Sequence, residues 1–354
     1  NYPTFHFYLT SICYYLAWMV GWGVGASHTA AQHVAYQYLV DGSDVLAVAR
    51  AVGAALSAAT VMVLALLGRR LFDPLTGLLA ASMLAVMPLA TRFAPLANTD
   101  TPALFWTVMA LLWAVRARQS GVFRDVLLAG VFIGLSAATK YPAVLVAVPV
   151  TVALADGLSS RSVGRIAWCA LAALLAFCAA SPYVWLDFAV FHSHFSDMAG
   201  THLLAPAQIS VTQQLLETAW YACGVGGLLA VAVGLGLAVR SRTWRDAVVL
   251  SAGLVTIVLL LTSGSYFIRY ALPLAPPLCL LLARGLAVVR RRPHLLLILA
   301  IVVVLEPLYV SLASWRLLSG PDTRSEAQAW IAQQAPSGAW LDEPESACGQ
   351  IDLL

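Results

Sequence analysis

Apolar runs recur along this chain between polar connections, and several of the runs are shorter than a full membrane span. A helix needs about 20 apolar residues to cross the hydrocarbon core of a bilayer. Of the 354 residues, 61% are hydrophobic and 10% are charged, whereas about a quarter are charged in a soluble domain. We therefore predict an all-α polytopic membrane protein with about ten transmembrane helices. The predicted runs are 46–67, 75–93, 101–115, 126–139, 142–156, 165–181, 217–239, 246–263, 270–289 and 295–315.

The arginines fall in alternate connections between these runs. Because Lys and Arg are concentrated in cytoplasmic loops, the connections predicted to lie inside are 69–70, 116–124, 161–165, 240–245 and 290–292. The remaining connections are then extracytoplasmic, namely 92–102, 140–142, 182–216, 264–270 and everything after about 315. The net charge of +3 is too small to suggest a nucleic-acid partner.

Three regions are predicted along the chain, with boundaries after residues 45 and 315. Residues 1–45 form a juxtamembrane helix and an outer loop, because the aromatic residues of 5–25 favour an interfacial or re-entrant helix over a plain span. Residues 46–315 form the bundle. Residues 316–354 begin an extracytoplasmic segment, with an amphipathic helix over SEAQAWIAQQ and a strand at 339–341. We expect the sequence to be a fragment at both ends.

The polar break RFAPLANTDTP, residues 92–102, lies between two apolar runs on the predicted outer face. Charged groups at membrane depth are costly, so Asp100 is a candidate site residue. The same stretch is also a good helix start, since Asp100 or Thr101 precedes Pro102. Both interpretations stay open on the residues alone. An Asp beside threonines fits either a hydrated divalent cation, Mg²⁺ or Mn²⁺, or no metal.

Two basic residues lie on the predicted outer face, although Lys and Arg are concentrated in cytoplasmic loops. Lys140 interrupts the apolar stretch 126–156, and Arg269 directly precedes the run 270–289. A lipid phosphate would pair with either cation, and guanidinium would bind it through two parallel hydrogen bonds. The alternatives are a lysine that snorkels to the interface and an arginine that anchors a helix end. Other polar residues on this face include His6 and Arg92.

The predicted outer loop 182–216 carries five residues that could ligate a metal, namely Asp187, His192, His194, Asp197 and His202. They lack the i, i+4 pair of a helical zinc site, so ordinary loop residues are favoured. Five cysteines lie in apolar runs without ligand spacing and are interpreted as small buried hydrophobes, and only Cys348 lies in a polar region. The five are Cys13, Cys169, Cys178, Cys223 and Cys279.

Seven phrases, taken in order, resemble the C-type glycosyltransferase superfamily. The resemblance is to its bacterial lipid-carrier-dependent branch, which includes protein O-mannosyltransferases and the aminoarabinose transferase of lipid A. The phrases are NYPTFHFYL (1–9), ARAVGAALSAATVMVLALLGRRLFD (49–73), NTDTP (98–102), ATKYP (138–142), SPYVWLD (181–187), IRYALPLAPPL (268–278) and DTRSEAQAWI (322–331). Each phrase alone is weak, and their order over nearly the whole chain carries the resemblance.

The resemblance implies a GT-C-like bundle that transfers a sugar from a polyprenyl-phosphate carrier, with inversion at the anomeric carbon. The acceptor would be a lipid, glycan or protein on the outer face of the bacterial inner membrane. The family's best-known catalytic acid precedes the stretch matching NYPTFHFYL, so Asp100 matches the second acidic position, which positions an acceptor or a metal. Tyr2 stands where the aminoarabinose transferase has Lys, which argues against that sugar. The expected substrate-binding residues are Lys140, Arg269, Tyr270, Arg92 and His6.

Two other classes of protein compete with this interpretation. A transporter or flippase of an anionic lipid or solute would use Lys140 and Arg269 as ligands, and would have broken helices in paired halves. No internal repeat of that kind is evident in the sequence. A non-catalytic assembly subunit would hold Asp100, Lys140 and Arg269 more than about three helix diameters apart, each helix being roughly 10 Å across.

Overall fold

A computed structural model describes residues 3–19, 29, 32, 43–157, 159–203, 211–263, 267–320 and 323–334. Within these ranges the chain forms helices and no strand. The contacts divide it into two units, Asn1–Ser311 and Leu312–Leu354. The first unit contains the bundle and the candidate site, and it is all-α as the sequence predicts.

Thirteen of the helices in the described ranges are labelled in chain order. They are α1 Phe5–Met19, α2 Ser43–Leu71, α3 Pro74–Val86, α4 Asp100–Ser120, α5 Phe123–Thr139, α6 Ala147–Leu154, α7 Ser160–Ala180, α8 Phe188–Leu203, α9 Val211–Ser241, α10 Trp244–Thr262, α11 Ala275–Leu286, α12 Pro293–Leu318 and α13 Thr323–Gln334. Two helical turns, Pro88–Thr91 and Tyr183–Leu186, and three 3-10 helices, Tyr141–Val146, Ile268–Leu274 and Ala287–Val289, connect them.

Six helical segments are long and apolar enough to cross a membrane, which makes the chain a multi-pass membrane protein. They are Ser43–Leu71, Ser160–Ala180, Leu216–Ser241, Trp244–Thr262, Ile268–Val289 and Pro293–Leu318. Two further predicted runs fall on shorter apolar helices, Pro74–Val86 and Tyr141–Leu154. Helices α4 and α5 coincide with the runs 101–115 and 126–139. The count of about ten spans stays a prediction, since six segments within the described ranges meet the length and composition of a span.

Proline explains why two of the predicted runs are divided. Met87 has an extended backbone and precedes Pro88, which separates α3 from the turn Pro88–Thr91. Lys140 is also extended, with φ −154° and ψ 118°, and Pro142 follows two residues later. A proline lacks the N–H that would continue a helix, and its ring clashes with the carbonyl of the residue four positions earlier; it also disfavours a helical conformation of the residue directly before it, as at Met87. The stretch 126–156 is therefore two helical segments that meet at Lys140.

The predicted loop 182–216 is wrong for most of its length, because residues 183–203 are helical. The turn Tyr183–Leu186 leads into α8, and the aromatic side chains that pack against Tyr141 explain why this stretch is helical rather than irregular. The helix predicted over SEAQAWIAQQ is confirmed as α13. The strand predicted at 339–341 and Cys348 lie outside the described residues.

The segment predicted to lie at the interface begins with α1, which has 15 residues. At 1.5 Å per residue it is about 22 Å long, shorter than the hydrocarbon core. The part of the predicted segment after Met19 lies outside the described residues. The side chains of Phe7, Ile12 and Leu16 are exposed, while His6 faces the protein interior. The interfacial position of α1 stays a prediction.

Helix α5 packs closely against α7 at two glycines. A Cβ atom at Gly134 would overlap the carbonyl oxygen of Ala173, and one at Gly130 would overlap that of Cys169. Small residues let helix backbones approach in membranes, where packing rather than hydrophobicity drives association. These contacts fix the axis of α5 and hence the position of Lys140 at its end.

Helix α9 contains a break at Gly224, where φ is 62° and ψ is −179°. This conformation is essentially restricted to glycine. The break leaves the next backbone N–H without its helical acceptor, and the Val225 N–H donates instead to the Glu306 carboxylate at 2.9 Å. Glu306 lies in the interior of α12, so a carboxylate from one apolar helix caps the break in another.

Candidate functional site

The polar break before α4 is a capped helix start, and the capping residue is Asn98. Its side-chain oxygen accepts the backbone N–H groups of Asp100 at 2.9 Å and Thr101 at 3.1 Å. Its amide donates to the Phe93 carbonyl at 3.0 Å. Because Asn98 satisfies the first backbone donors of α4, the Asp100 carboxylate is not needed as a cap. Of the two interpretations that the sequence left open, the structure therefore assigns the helix cap to Asn98 and leaves Asp100 as a candidate site residue.

The Asp100 carboxylate accepts a hydrogen bond from the Lys140 ammonium and forms an ion pair with it. The Asp100 side chain is 9% exposed and that of Lys140 is 20% exposed. A hydrogen bond of 2.9 Å between Thr107 and Ser136 joins α4 to α5 beneath the pair. Since α4 and α5 are consecutive antiparallel helices, the start of α4 lies beside the end of α5, and this brings Asp100 and Lys140 together.

Two aromatic rings surround the cations of this cluster. The Lys140 ammonium lies 4.6 Å from the centre of the Tyr270 ring. The Arg269 guanidinium lies 4.7 Å from the centre of the Phe267 ring and 5.8 Å from that of Tyr270. These separations fit cation–π contacts. We call Asp100, Lys140, Arg269 and Tyr270 the Asp100 cluster. Its cations share one ring, so they lie far closer together than three helix diameters.

Arg269 has no carboxylate partner among the residues that the structure describes. The same holds for Arg92, whose guanidinium lies 6.0 Å from the centre of the Phe93 ring and 5.9 Å from that of Tyr221. The carbonyl of Phe93 also accepts hydrogen bonds from Asn98 and Thr101, which ties the Arg92 segment to the start of α4. Two guanidinium groups beside α4 therefore keep their donors available for an anion.

His6 is buried near the start of α1. Its side chain is 4% exposed, and its Nδ1 atom has no hydrogen-bond partner in the described part of the chain. The first turn of α1 touches α4 and α7 through Phe5, whose ring lies 5.5 Å from that of Trp106, and through Thr4, which donates to the Ala180 carbonyl at 3.3 Å. Burial lowers the pKa of His6, so its imidazole is neutral at pH 7.

No metal site accompanies the expected ligands. The described ranges contain no group of three or more His, Cys, Asp and Glu side chains that could hold a metal ion. Asp100 is occupied by Lys140, and the Thr101 hydroxyl donates to the Phe93 carbonyl at 3.2 Å. A cation beside Asp100 would meet the Lys140 ammonium, so these residues do not fit Mg²⁺ or Mn²⁺ in this arrangement.

Three of the predicted loop ligands lie on α8, and a metal site there stays untested. His192, His194 and Asp197 are exposed on α8, and the His202 side chain lies outside the described residues. Of the predicted apolar cysteines, Cys169, Cys223 and Cys279 are buried, while Cys13 and Cys178 are partly exposed.

Sequence reasoning missed three residues that shape this region. Asn98 was expected only as a neighbour of Asp100, although Asn is a preferred cap and could have been recognised as one. Tyr141 contacts α8, since its ring centre lies 5.9 Å from those of Phe191 and Phe195. Glu306 was not considered, although an acid inside an apolar helix is a strong signal.

The helix order and this geometry can be compared with known proteins. Residues 35–185 match the family model described as dolichyl-phosphate-mannose-protein mannosyltransferase. This match confirms the resemblance to a family of membrane glycosyltransferases. It includes Asp100 and Lys140 but ends before Arg269. A comparison with curated proteins finds no match.

Solved structures of two membrane enzymes have a similar fold. The oligosaccharyltransferase of Archaeoglobus fulgidus in its apo form is 15% identical with a TM-score of 0.60, over 95% of this chain and 50% of that one. ArnT of Cupriavidus metallidurans bound to undecaprenyl phosphate is 18% identical with a TM-score of 0.60, over 84% of this chain and 52% of that one. The A. fulgidus enzyme has also been solved with Zn and sulfate, at 16% identity, a TM-score of 0.60, and coverage of 95% and 47%.

These likenesses show the fold alone, which this chain shares with the A. fulgidus oligosaccharyltransferase and with ArnT. The chain spans about half the length of the structures that it matches. What those enzymes bind is known for them, and it enters here only as support for a proposal.

Proposed function

We propose that this chain is the membrane-embedded part of a glycosyltransferase that takes a sugar from a polyprenyl-phosphate carrier. The acceptor is a lipid, glycan or protein on the extracytoplasmic face, and the anomeric carbon is inverted. The observation that carries the proposal is the Asp100 cluster, in which an ion pair, an aromatic ring and an unpaired guanidinium meet. The cluster lies at the end of the α4–α5 hairpin opposite the turn at Gly121 and Val122. Arg116 and Arg118 in the last turns of α4 and Arg124 at the start of α5 flank that turn.

Arg269 is the best candidate for the phosphate of the carrier. A guanidinium presents donors in a fixed fork that matches two phosphate oxygens, and Arg269 has no carboxylate to compete for them among the described residues. Stacking on Phe267 and Tyr270 orients its plane without consuming its in-plane donors. Arg92, which is stacked in the same manner, is a second candidate.

Asp100 and Lys140 act as one unit in this proposal. The Asp100 carboxylate already accepts a hydrogen bond from the Lys140 ammonium. We therefore assign Asp100 to positioning the acceptor rather than to removing its proton. The ammonium has three donors and Asp100 uses one, so a second donor is available to the leaving phosphate.

The reaction that these residues would support is a single displacement. The acceptor oxygen bonds to the anomeric carbon as the bond between that carbon and the phosphate oxygen breaks. Polyprenyl phosphate leaves with the electron pair, and the acceptor proton passes to a base. Cations that meet the developing charge on the leaving phosphate stabilise the transition state more than the ground state. We assign that work to Arg269 and Lys140.

A transporter or flippase is the alternative, and one feature favours it. Helix α9 is broken at Gly224, and broken helices are typical of transporters. Such transporters place matching breaks in two halves, whereas no other helix in the described ranges has an interior residue with a left-handed φ. The phosphate-binding cations also lie at a helix end rather than in the middle of a span.

The test is a transfer assay with the full-length protein in liposomes. Polyprenyl-phosphate-linked sugars are supplied, and the release of polyprenyl phosphate is measured together with the transferred sugar. We expect Arg269→Ala and Asp100→Asn each to lower the rate by about 100-fold or more, as for loss of one transition-state donor. Arg245→Ala is the control, because Arg245 also lies over an aromatic ring, that of Trp244 at 5.7 Å, at the opposite end of the bundle.

Two results would contradict the proposal. Wild-type rates in both variants would exclude the Asp100 cluster as the site. Movement of the lipid between leaflets with the sugar–phosphate bond intact would support the transporter instead.

A further inference from the structure

A groove opens between helices at the end of the bundle opposite the Asp100 cluster. Its cavity has a volume of about 360 Å³. The groove is formed by the residues after α2, the start of α3, the last turns of α9, and the last turn of α11 with the residues after it. The segment Ile268–Val289 has 22 residues. Its contour is roughly 35 Å long, since the rise is about 1.5 Å per residue in an α-helix and about 2.0 Å in a 3-10 helix. Since Arg269 lies at one end of it and the groove at the other, the groove is distinct from the proposed transferase site.

Three arginines line the groove, and they are not equally engaged. Arg284 forms an ion pair with Asp246 and donates to the Ser241 hydroxyl at 2.8 Å. Arg290 lies 3.7 Å from Asp73. Arg291 is exposed and makes no ion pair or hydrogen bond within the described ranges.

The Asp73 carboxylate is already used, which weakens its hold on Arg290. It accepts the Thr76 backbone N–H at 2.9 Å and the Thr76 hydroxyl at 3.0 Å, and so caps the start of α3. Three guanidinium groups face two carboxylates, Asp73 and Asp246. One positive charge is therefore left over, which matches one phosphodiester anion.

The remaining walls of the groove are apolar. The ring of Phe72 lies beneath the Arg284 guanidinium at 5.0 Å. Leu237 and Val288 also line the groove, and Val288 is 56% exposed. A soluble anion would gain nothing from these side chains, whereas a phospholipid would place its glycerol and acyl carbons against them.

We propose that this groove binds the head-group phosphate of an anionic phospholipid in the leaflet next to the arginine-rich turns. Arg291 and Arg290 contact the phosphate, and Phe72, Leu237 and Val288 contact the acyl and glycerol carbons. Basic pockets between transmembrane helices recognise anionic head groups in this way. The enrichment of arginine in the loops on one side of a membrane explains the charge of this turn, but it does not explain a cavity with apolar walls. A lipid site requires the arginines that line the groove, whereas topology alone treats all arginines of the turn alike.

The test is thermal unfolding of the purified protein in detergent with added lipid. Phosphatidylglycerol should raise the midpoint of wild type, and phosphatidylcholine should not. Arg291→Gln should weaken the apparent affinity for phosphatidylglycerol about tenfold or more, as for the loss of one hydrogen bond to a charged group. Arg292→Gln is the matched control, because Arg292 is exposed in the same turn and does not line the groove.

Each other outcome overturns the proposal. Equal weakening in Arg291→Gln and Arg292→Gln would mean that the surface charge of the turn attracts lipid without a site. Equal stabilisation by the two lipids would remove the role of charge. Equal stabilisation by inorganic phosphate or glycerol phosphate would mean that a soluble anion occupies the groove. Because Arg291 is exposed and unpaired, the lipid-free midpoint of Arg291→Gln should equal that of wild type.

Discussion

Lys140 forms an ion pair with Asp100 across 40 residues of sequence. Neither side chain is well exposed, so each charge depends on the other for the solvation that it has lost. The Tyr270 ring, 4.6 Å from the ammonium, completes the surroundings of the lysine. The ion pair therefore contributes both to the stability of the fold and to the proposed transfer reaction. Mutations can separate its effect on stability from its effect on activity.

Removal of one partner of the pair should destabilise the protein more than removal of both. Lys140→Met leaves the Asp100 carboxylate partly buried without a counter-charge, and we expect a loss of about 1–3 kcal/mol, the usual cost of an unsatisfied buried group. Lys140→Met combined with Asp100→Asn should recover most of that loss. Thermal or denaturant unfolding in detergent measures both. Transfer activity should be lost in all variants, since the proposed site needs both charges.

A double-mutant cycle can also contradict the role of this ion pair. If the double variant were as unstable as the sum of the two single variants, the side chains would act independently, and the ion pair would not be the source of the stability.

Substitution of Arg269 by lysine should impair the proposed donor binding while leaving the charge unchanged. Lysine cannot present two parallel donors or stack its plane on Phe267 and Tyr270. We expect the KM for the polyprenyl-phosphate sugar to rise about 10- to 100-fold, equivalent to one charge-assisted hydrogen bond. Arg245→Lys is the control. An unchanged KM in Arg269→Lys would mean that positive charge alone suffices and that bidentate recognition is absent.

Much of the bundle could be predicted from hydrophobicity, because apolar length and arginine placement are local properties of the chain. The break at Lys140 was predictable too, since Pro142 constrains the residues before it. The helix Phe188–Leu203 was not, because its aromatic side chains pack against Tyr141, which is distant in the sequence. A loop and an interfacial helix with mixed polar and aromatic residues look alike in sequence.

The sequence indicates which residues are candidates for the site, but it does not indicate how they contact one another. Asp100, Lys140 and Arg269 stood out because each is a charge beside an apolar run. That Lys140 is paired with Asp100, and that Arg269 keeps its donors, follows from how α4, α5 and the 3-10 helix Ile268–Leu274 pack. The pairing decides which cation is available to a phosphate, and no spacing in the sequence contains that information.

Replacement of Gly224 by alanine should destabilise the bundle. The positive φ of Gly224 is unfavourable for residues with a Cβ atom, by about 1–2 kcal/mol, and a Cβ would lie 2.6 Å from the Glu306 carboxylate. Gly236→Ala is the matched control on α9, since nothing lies within 4 Å of a Cβ there. We expect Gly236→Ala to be neutral or slightly stabilising. Equal midpoints for the two variants would argue against the break at Gly224.

The stability of the protein should depend on pH through His6, which lies in α1 and outside the six candidate spans. Burial lowers the pKa of His6 from an ordinary value of about 6.5. The unfolded chain therefore takes up its proton first as the pH falls, so the contribution to stability is present above about pH 6.5 and is lost below it. His6→Asn should reduce the difference in melting midpoint between pH 7.5 and pH 5, whereas His192→Asn, an exposed histidine on α8, should leave it unchanged. If His6→Asn showed the same difference in melting midpoint between pH 7.5 and pH 5 as wild type, groups other than His6 would cause the loss of stability in acid.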